Sequence, residues 1–345
     1  MGGLMELNDF KSIVKSGKLA GCYMFSGEED YLKRYYLSSL RDAALGDAAF
    51  SAFNHVVYDG EADFTSIADD VITPPMFEPY KLIECRYPGF DKMKESDLEA
   101  LERVLDLVYE TDYAVLAFLV SDGEVDLGTP KKESKFTKRF SDRIRILNFD
   151  KSTDAQLLSW LKKHFDAESI KVSADTLRAL IFRVGHSMTV LNSEVTKLCM
   201  YAKAREMFEI TVADVNAVAS STPECDTFAL SNAIIEKNKK LAFLALDEMK
   251  SRRLDPIMIL GMMAKTYTDI VNVAMMMRDG VGQNDIQAIT KMNPYKLKLY
   301  MSAAKKYSPE NAAKILNELT RVDTGAKWGG VTGYTAIELF LSKCL

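Results

Sequence analysis

The spacing of hydrophobic positions changes once along the chain, near residue 150. Before that point, short apolar runs alternate with amphipathic segments. Residues 21–26 (GCYMFS), 55–58 (HVVY), 81–85 (KLIEC), 113–120 (YAVLAFLV) and 143–149 predict five strands. Residues 31–45 predict a helix with Leu32, Tyr36, Leu40 and Ala43 on one face, and residues 64–71 and 96–109 predict two more. The run at 113–120 is nearly all apolar, as expected of a strand covered on both faces. Strands alternating with helices predict a mostly parallel sheet in an α/β sandwich.

Beyond residue 150 the strand signals stop. Thr153-Asp154-Ala155-Gln156 reads as a capping box, in which a hydroxyl and an amide side chain exchange bonds with the helix start. It opens a helix carrying Leu157, Leu161 and Phe165. Ser173 caps the next, which Gly185 ends. A third runs over 187–202 with Met188, Leu191, Val195 and Leu198 in register, and Thr211 caps a short fourth. Ser220-Ser221-Thr222-Pro223 reads as a linker. Six further helices are predicted at 227–251, 256–279, 283–290, 294–307, 309–324 and 334–344. Prolines stand at their first turns, where a missing N–H costs nothing. Met258, Met262, Met263, Met275, Met276 and Met277 read as core filling, and Trp328 falls in a loop. The expected parts are therefore 1–150, 151–220 and 221–345.

One segment fits neither pattern. In ITPPMFEPYKLIEC, residues 72–85, Pro74, Pro75 and Pro79 surround Met76 and Phe77. Two large apolar side chains on a proline-stiffened corner either plug the sheet from below or face outward for a partner. The residues alone leave both readings open.

Charge and composition narrow the function. The 345 residues are 48% hydrophobic and 27% charged, as in ordinary globular proteins. No run reaches the ~18 apolar residues of a membrane helix, and Met1-Gly2-Gly3-Leu4-Met5-Glu6 is not a signal-peptide pattern, so a cytoplasmic protein is expected. Net charge is −5, yet residues 226–345 carry 17 Lys and Arg against 12 Asp and Glu. That surplus is too small for an independent DNA-binding domain. Lys291, Lys296, Lys298, Lys305 and Lys306, near Tyr295 and Tyr300, form a candidate basic stripe that reads more simply as a solvated helix face. Cys22, Cys85, Cys199, Cys225 and Cys344 lack zinc spacing, and His55, His164 and His186 lie far apart. No metal and no cofactor are expected.

An α/β sheet followed by helices invites a nucleotide-binding reading. A phosphate loop needs GxxxxGK[ST], whose glycines let backbone amides face phosphate while the lysine neutralises it. The first strand–helix junction here is Ser26-Gly27-Glu28-Glu29-Asp30-Tyr31-Leu32-Lys33. It keeps one glycine and sets three carboxylates where phosphates would lie. Those acids suit a helix N-terminus and its cap, and would repel ATP. Val120-Ser121-Asp122-Gly123-Glu124 imitates the acidic pair that holds magnesium, and reads instead as strand-end turn chemistry. No catalytic grouping appears elsewhere. An active NTPase, a helical adaptor and a DNA-binding protein are the competing readings. The missing Gly-Lys argues against the first, and the absence of a helical repeat against the second.

Across most of its length the chain resembles the delta-subunit family of the bacterial DNA polymerase III clamp loader. Tyr23-Met24-Phe25-Ser26-Gly27-Glu28-Glu29-Asp30-Tyr31-Leu32 is similar to the family's opening strand and turn. Pro75-Met76-Phe77, then Lys81-Leu82-Ile83, is similar to its PMF segment, although the family's basic residue comes sooner after the corner. Val184 to Leu198, ending Glu194-Val195-Thr196-Lys197-Leu198, resembles its middle stretch. Asp323-Thr324-Gly325-Ala326-Lys327 with Ala336-Ile337-Glu338 matches its closing pattern. The resemblance implies an AAA+-type protein: a RecA-like α/β domain with a parallel five-stranded sheet and no working phosphate loop, a helical lid, and an all-α collar for oligomerisation. It implies a non-catalytic subunit that opens the ring-shaped sliding clamp (the beta subunit) in DNA replication. The expected partners are that clamp, the delta-prime and gamma/tau subunits of a pentameric loader, and primed DNA within the complex, with no membrane. The clamp-binding residues implied are Met76 and Phe77, with Pro75.

Overall fold

The computed structural model describes residues 3–46, 48–129, 132–306, 308–327 and 333–345. The chain divides into two compact units, residues 1–152 and 153–345.

The first unit is built on one parallel sheet. Its strands are β1 (Gly3–Leu4), β2 (Gly21–Ser26), β3 (His55–Asp59), β4 (Lys81–Arg86), β5 (Ala114–Leu119) and β8 (Ile144–Asn148); β6 (Gly128–Thr129) and β7 (Lys132–Glu133) form a separate antiparallel pair. The order across the sheet is β1-β8-β2-β5-β4-β3. The five expected strands are all present, and the two-residue β1 adds a sixth at the edge beside β8. The register sets Cys22 opposite Leu116 and Met24 opposite Ile146.

Every residue of β2 and β5 is buried, because helices cover both faces. On one face Cys22, Met24, Ile83, Cys85, Leu116 and Phe118 meet α4 (Phe64–Ile72) and α5 (Glu95–Glu110). On the other, Tyr23, Phe25, Leu82, Val115 and Ala117 pack with Phe10 of α1 (Leu7–Ser16) and Leu37 and Leu40 of α2 (Asp30–Ala44). The period-2 alternation of side chains splits each strand between these two cores. Three helices were not predicted: α1, the seven-residue α3 (Ala48–Asn54) that leads into β3, and the short α6 (Lys135–Phe140) that precedes β8.

The second unit is helical: α7 (Asp154–Ala167), α8 (Ala174–Val184), α9 (Met188–Ala204), α10 (Val212–Val218), α11 (Pro223–Ile235), α12 (Lys239–Ser251), α13 (Pro256–Arg278), α14 (Gln283–Thr290), α15 (Pro294–Lys306), α16 (Pro309–Lys327) and α17 (Tyr334–Cys344). The capping box at Thr153 and Gln156 forms as expected, and a second forms at Thr211 and Asp214.

Four expectations need correction. The strand signals do not vanish after residue 150: Lys171–Val172 (β9) and Glu209–Ile210 (β10) pair in parallel. The helix expected over 227–251 is two helices. Lys237 turns left-handed at φ 52°, and the Asn238 side chain caps α12 by accepting from the Leu241 amide. The segment 220–223 is not a loose linker. Thr222 caps α11, its amide donates to Arg183 O at 2.8 Å, and Arg252 donates to the Ser221 carbonyl at 2.7 Å. Finally, the methionines of α13 are not all core. Met263 is buried and Met276 and Met277 pack partly, but Met258 and Met275 are exposed because they lie on its outer face. Trp328 lies outside the described residues.

Candidate functional site

The corner begins where α4 stops. Proline cannot follow in a helix without displacing the residue before it, so Thr73 is extended (φ −82°, ψ 114°) ahead of Pro74. The chain resumes regular structure only at Lys81. Tyr113 fixes both feet of this span: its hydroxyl donates to Ile72 O at 3.1 Å, and its carbonyl accepts from the Lys81 amide at 3.0 Å. A second tie lies beneath. Lys81 Nζ donates to Asp70 Oδ1 at 2.9 Å, and Tyr58 donates to Asp70 Oδ2 at 2.6 Å. Burial would raise the Asp70 carboxyl, but these two donors outweigh it and lower its pKa. Tyr80 completes the frame by donating to Gly17 O at 2.5 Å.

Met76 and Phe77 face out of this frame, at 48% and 80% exposure. Pro75, which precedes them, is half-buried. Phe77 adopts φ 62°, a left-handed conformation that costs a residue with a Cβ about 1–2 kcal/mol. Something must hold it there. The carboxamide of Asn54, at the end of α3 and fully buried, accepts from the Met76 amide at 2.7 Å and donates to the Met76 carbonyl at 2.8 Å. Two such bonds contribute roughly 1 kcal/mol each, enough to balance the strain. Glu78 lies so close to Gly46 that a Cβ there would meet its carboxylate at 2.6 Å. Asn54 and Gly46 carry no signal in the sequence that links them to the corner.

The first strand–helix junction is closed by the chain itself. Gly27 sits at φ 102°, and a Cβ on it would lie 2.4 Å from the Phe149 carbonyl oxygen. That same oxygen accepts the Glu29 amide at 3.0 Å, and the Phe149 amide donates to Ser26 O at 2.8 Å. The Glu29 amide of the turn is thus spent on the backbone after β8. Lys33, the basic group nearest the turn, is fully buried; its Nζ donates to Val120 O at 2.9 Å and pairs with Asp30 at 2.8 Å. Glu29 occupies the position before α2, and its carboxylate interacts with the backbone of Tyr31 in the first turn and of Ser152, both of which favour its ionised form. Burial raises the Glu29 carboxyl above its ordinary value.

The magnesium-like acidic pair is a turn. Glu124 accepts the amides of Gly89 at 2.8 Å, Phe90 at 3.2 Å and Ser121 at 2.7 Å, while Asp122 is exposed. A carboxylate holding three backbone donors is a structural brace.

The densest charged cluster was missed by sequence reasoning. Glu84 of β4 is fully buried and bonded to Arg41 at 2.6 and 2.9 Å, to Arg86 at 2.8 and 3.2 Å, and to His55 at 3.0 Å. Burial alone would raise its carboxyl; the three donors outweigh it and hold its pKa down to about 2. The signal was present as a charged residue inside an apolar strand. Among the described residues, no group of three or more His, Cys, Asp and Glu is placed to hold a metal.

The basic stripe of the second unit is largely neutralised. Lys296 pairs with Glu224 at 2.6 Å, Lys306 with Glu236 at 2.6 Å and Lys298 with Asp175 at 3.4 Å. Tyr300 is buried against Phe228 rather than offered for stacking. Among the described residues, no helix is long and apolar enough to cross a membrane.

Comparison with known proteins places these features in context. The family model "DNA polymerase III, delta subunit" matches residues 23–149, and "DNA polymerase III delta subunit, C-terminal domain" matches residues 224–344. Over 350 residues the chain is 26% identical to DNA polymerase III subunit delta of Bacillus subtilis (strain 168), covering 99% of this chain and 97% of that protein. The solved structure of the Bacillus subtilis DNA clamp loader delta protein aligns with a TM-score of 0.56 at 22% identity, over 98% of this chain and 99% of that one.

Proposed function

The chain belongs to the delta-subunit family of the DNA polymerase III clamp loader, and from that premise we propose that Met76 and Phe77 are its contact with the sliding clamp. The observation that carries the reading is an apolar pair held outward on a framed corner. An exposed Phe on a rigid support loses little freedom on docking. Fully burying a Phe or Met side chain in a partner's pocket contributes about 1.5–3 kcal/mol. Phe77 has most to gain, since Met76 is already half covered. Pro75 stiffens the backbone just before the pair, because its ring fixes φ.

Docking acts as a wedge. The corner binds a clamp interface in its opened form better than in its closed form, and so shifts the ring toward opening. No bond is made or broken by this subunit. Gly27, Glu29 and Lys33 are committed to other parts of the fold, which supports a subunit that neither binds nor hydrolyses ATP. Other loader subunits, delta-prime and gamma/tau, supply that chemistry in a cytoplasmic complex on primed DNA. In this reading residues 1–150 carry the clamp contact, 151–220 form the lid, and 221–345 form the collar that joins the pentamer.

The test is Met76→Ala combined with Phe77→Ala, measured as affinity for the organism's own clamp. Binding falls by about hundredfold or more, the equivalent of the lost burial, while the unfolding midpoint is kept. Affinity within a few-fold of the parent overturns the reading.

A further inference from the structure

We propose that Asn54 is the positioning residue of the clamp-binding corner, setting the direction of Met76 and Phe77 without touching the partner. The inference rests on the reading of the corner given above.

Asn54 and Met76 are 22 residues apart, and the carboxamide meets both polar groups of Met76 at once, at 2.7 and 2.8 Å. Bonding the amide and the carbonyl of one residue fixes the peptide planes on both sides of its Cα. It therefore fixes where the Met76 side chain points and where Phe77 begins. Phe77 then holds its left-handed φ of 62°, a conformation that an untethered chain leaves for the extended or helical regions. Asn54 is itself fully buried at the end of α3. An amide side chain is the fitting choice, because it offers one acceptor and two donors without charge. Serine offers too short a reach, and a carboxylate would face the Met76 carbonyl with a like partial charge.

The consequence is preorganisation. With Asn54 in place, the two apolar side chains are displayed in one geometry before the partner arrives. Without it, the corner samples several, and only a fraction of molecules are competent to dock.

The experiment compares the full chain with Asn54→Ala and Asn54→Asp, reading clamp affinity and the unfolding midpoint from pH 6 to pH 8. Asn54→Ala weakens clamp binding on the order of tenfold with the protein still folded. Asn54→Asp binds poorly at pH 8, where the carboxylate has no donor for the Met76 carbonyl. It recovers toward the parent at pH 6, where the protonated acid again offers one donor and one acceptor. The parent, measured in parallel, accounts for the neighbouring titratable groups, His55 bonded to Glu84 and Glu78 beside Gly46. Asn54→Ala binding within twofold of the parent, or a folded Asn54→Asp whose affinity does not rise as pH falls, overturns the inference. Both results leave the docking reading standing if Met76→Ala with Phe77→Ala still fails to bind. Clamp affinity retained by that double variant overturns the docking reading and this inference with it.

Discussion

The ammonium of Lys33 donates to the carbonyl of Val120 at 2.9 Å, joining the first turns of α2 to the residue that follows β5. Both residues are fully buried. A lysine that could neutralise a phosphate is instead a strut between a helix and a strand end.

Lys33→Met removes that strut at nearly constant volume. It leaves the Val120 carbonyl without its donor, a loss of about 1–3 kcal/mol for a buried group. The urea midpoint falls accordingly. Calorimetry with ATP and magnesium gives no binding heat for the parent or the variant, and a micromolar affinity for the parent contradicts the closed-junction argument.

Glu124→Ala separates a brace from a metal ligand. Three amides lose their acceptor, so stability falls by about 2 kcal/mol. Magnesium shifts the midpoint of parent and variant equally. A magnesium-dependent stabilisation of the parent alone contradicts the bracing role.

Glu84 makes the first unit acid-sensitive. Its carboxyl is held near 2 in the fold, below the ordinary glutamate value of 4.5. The stabilisation is thus complete above pH 4.5 and is lost as pH falls toward 2. The difference amounts to roughly 3 kcal/mol at most. Glu84→Gln is less stable at pH 7, because two guanidinium groups lose their anion, and its stability falls less steeply below pH 4.5. Equal slopes for parent and variant assign the acid sensitivity elsewhere.

Phe77→Gly distinguishes backbone strain from side-chain contact. Glycine ordinarily costs about 0.5–1 kcal/mol relative to alanine. At a left-handed position that order reverses. Phe77→Gly therefore unfolds at the same or higher urea concentration than Phe77→Ala, and both bind clamp weakly. A Phe77→Gly variant less stable than Phe77→Ala by the ordinary margin shows that the conformation is not held.

The central sheet was legible because strands covered on both faces are largely apolar, as β2 and β5 are, while β4 kept an apolar run in Leu82, Ile83 and Cys85. α1 was not, since Leu7, Phe10, Ile13 and Val14 make only a short stripe in a polar segment. The break between α11 and α12 was hidden by apolar residues that continue in register across Lys237 and Asn238; the cap at Asn238 was the one clue. The corner's prolines and its Met–Phe pair stood out at once. Its direction did not, because that depends on a side chain 22 residues earlier, and contacts between a side chain and a distant backbone leave no period or motif. Glu84 was visible as an oddity in β4, yet its three partners come from α2, β3 and β4 itself.

The Phe149 carbonyl seated against Gly27 bears on how reversible this architecture is. Swapping acids for a glycine and a lysine would not by itself open the turn to a phosphate, since the Phe149 oxygen would still stand against Gly27 and hold the Glu29 amide. Restoration demands that two separate stretches of chain be rerouted together.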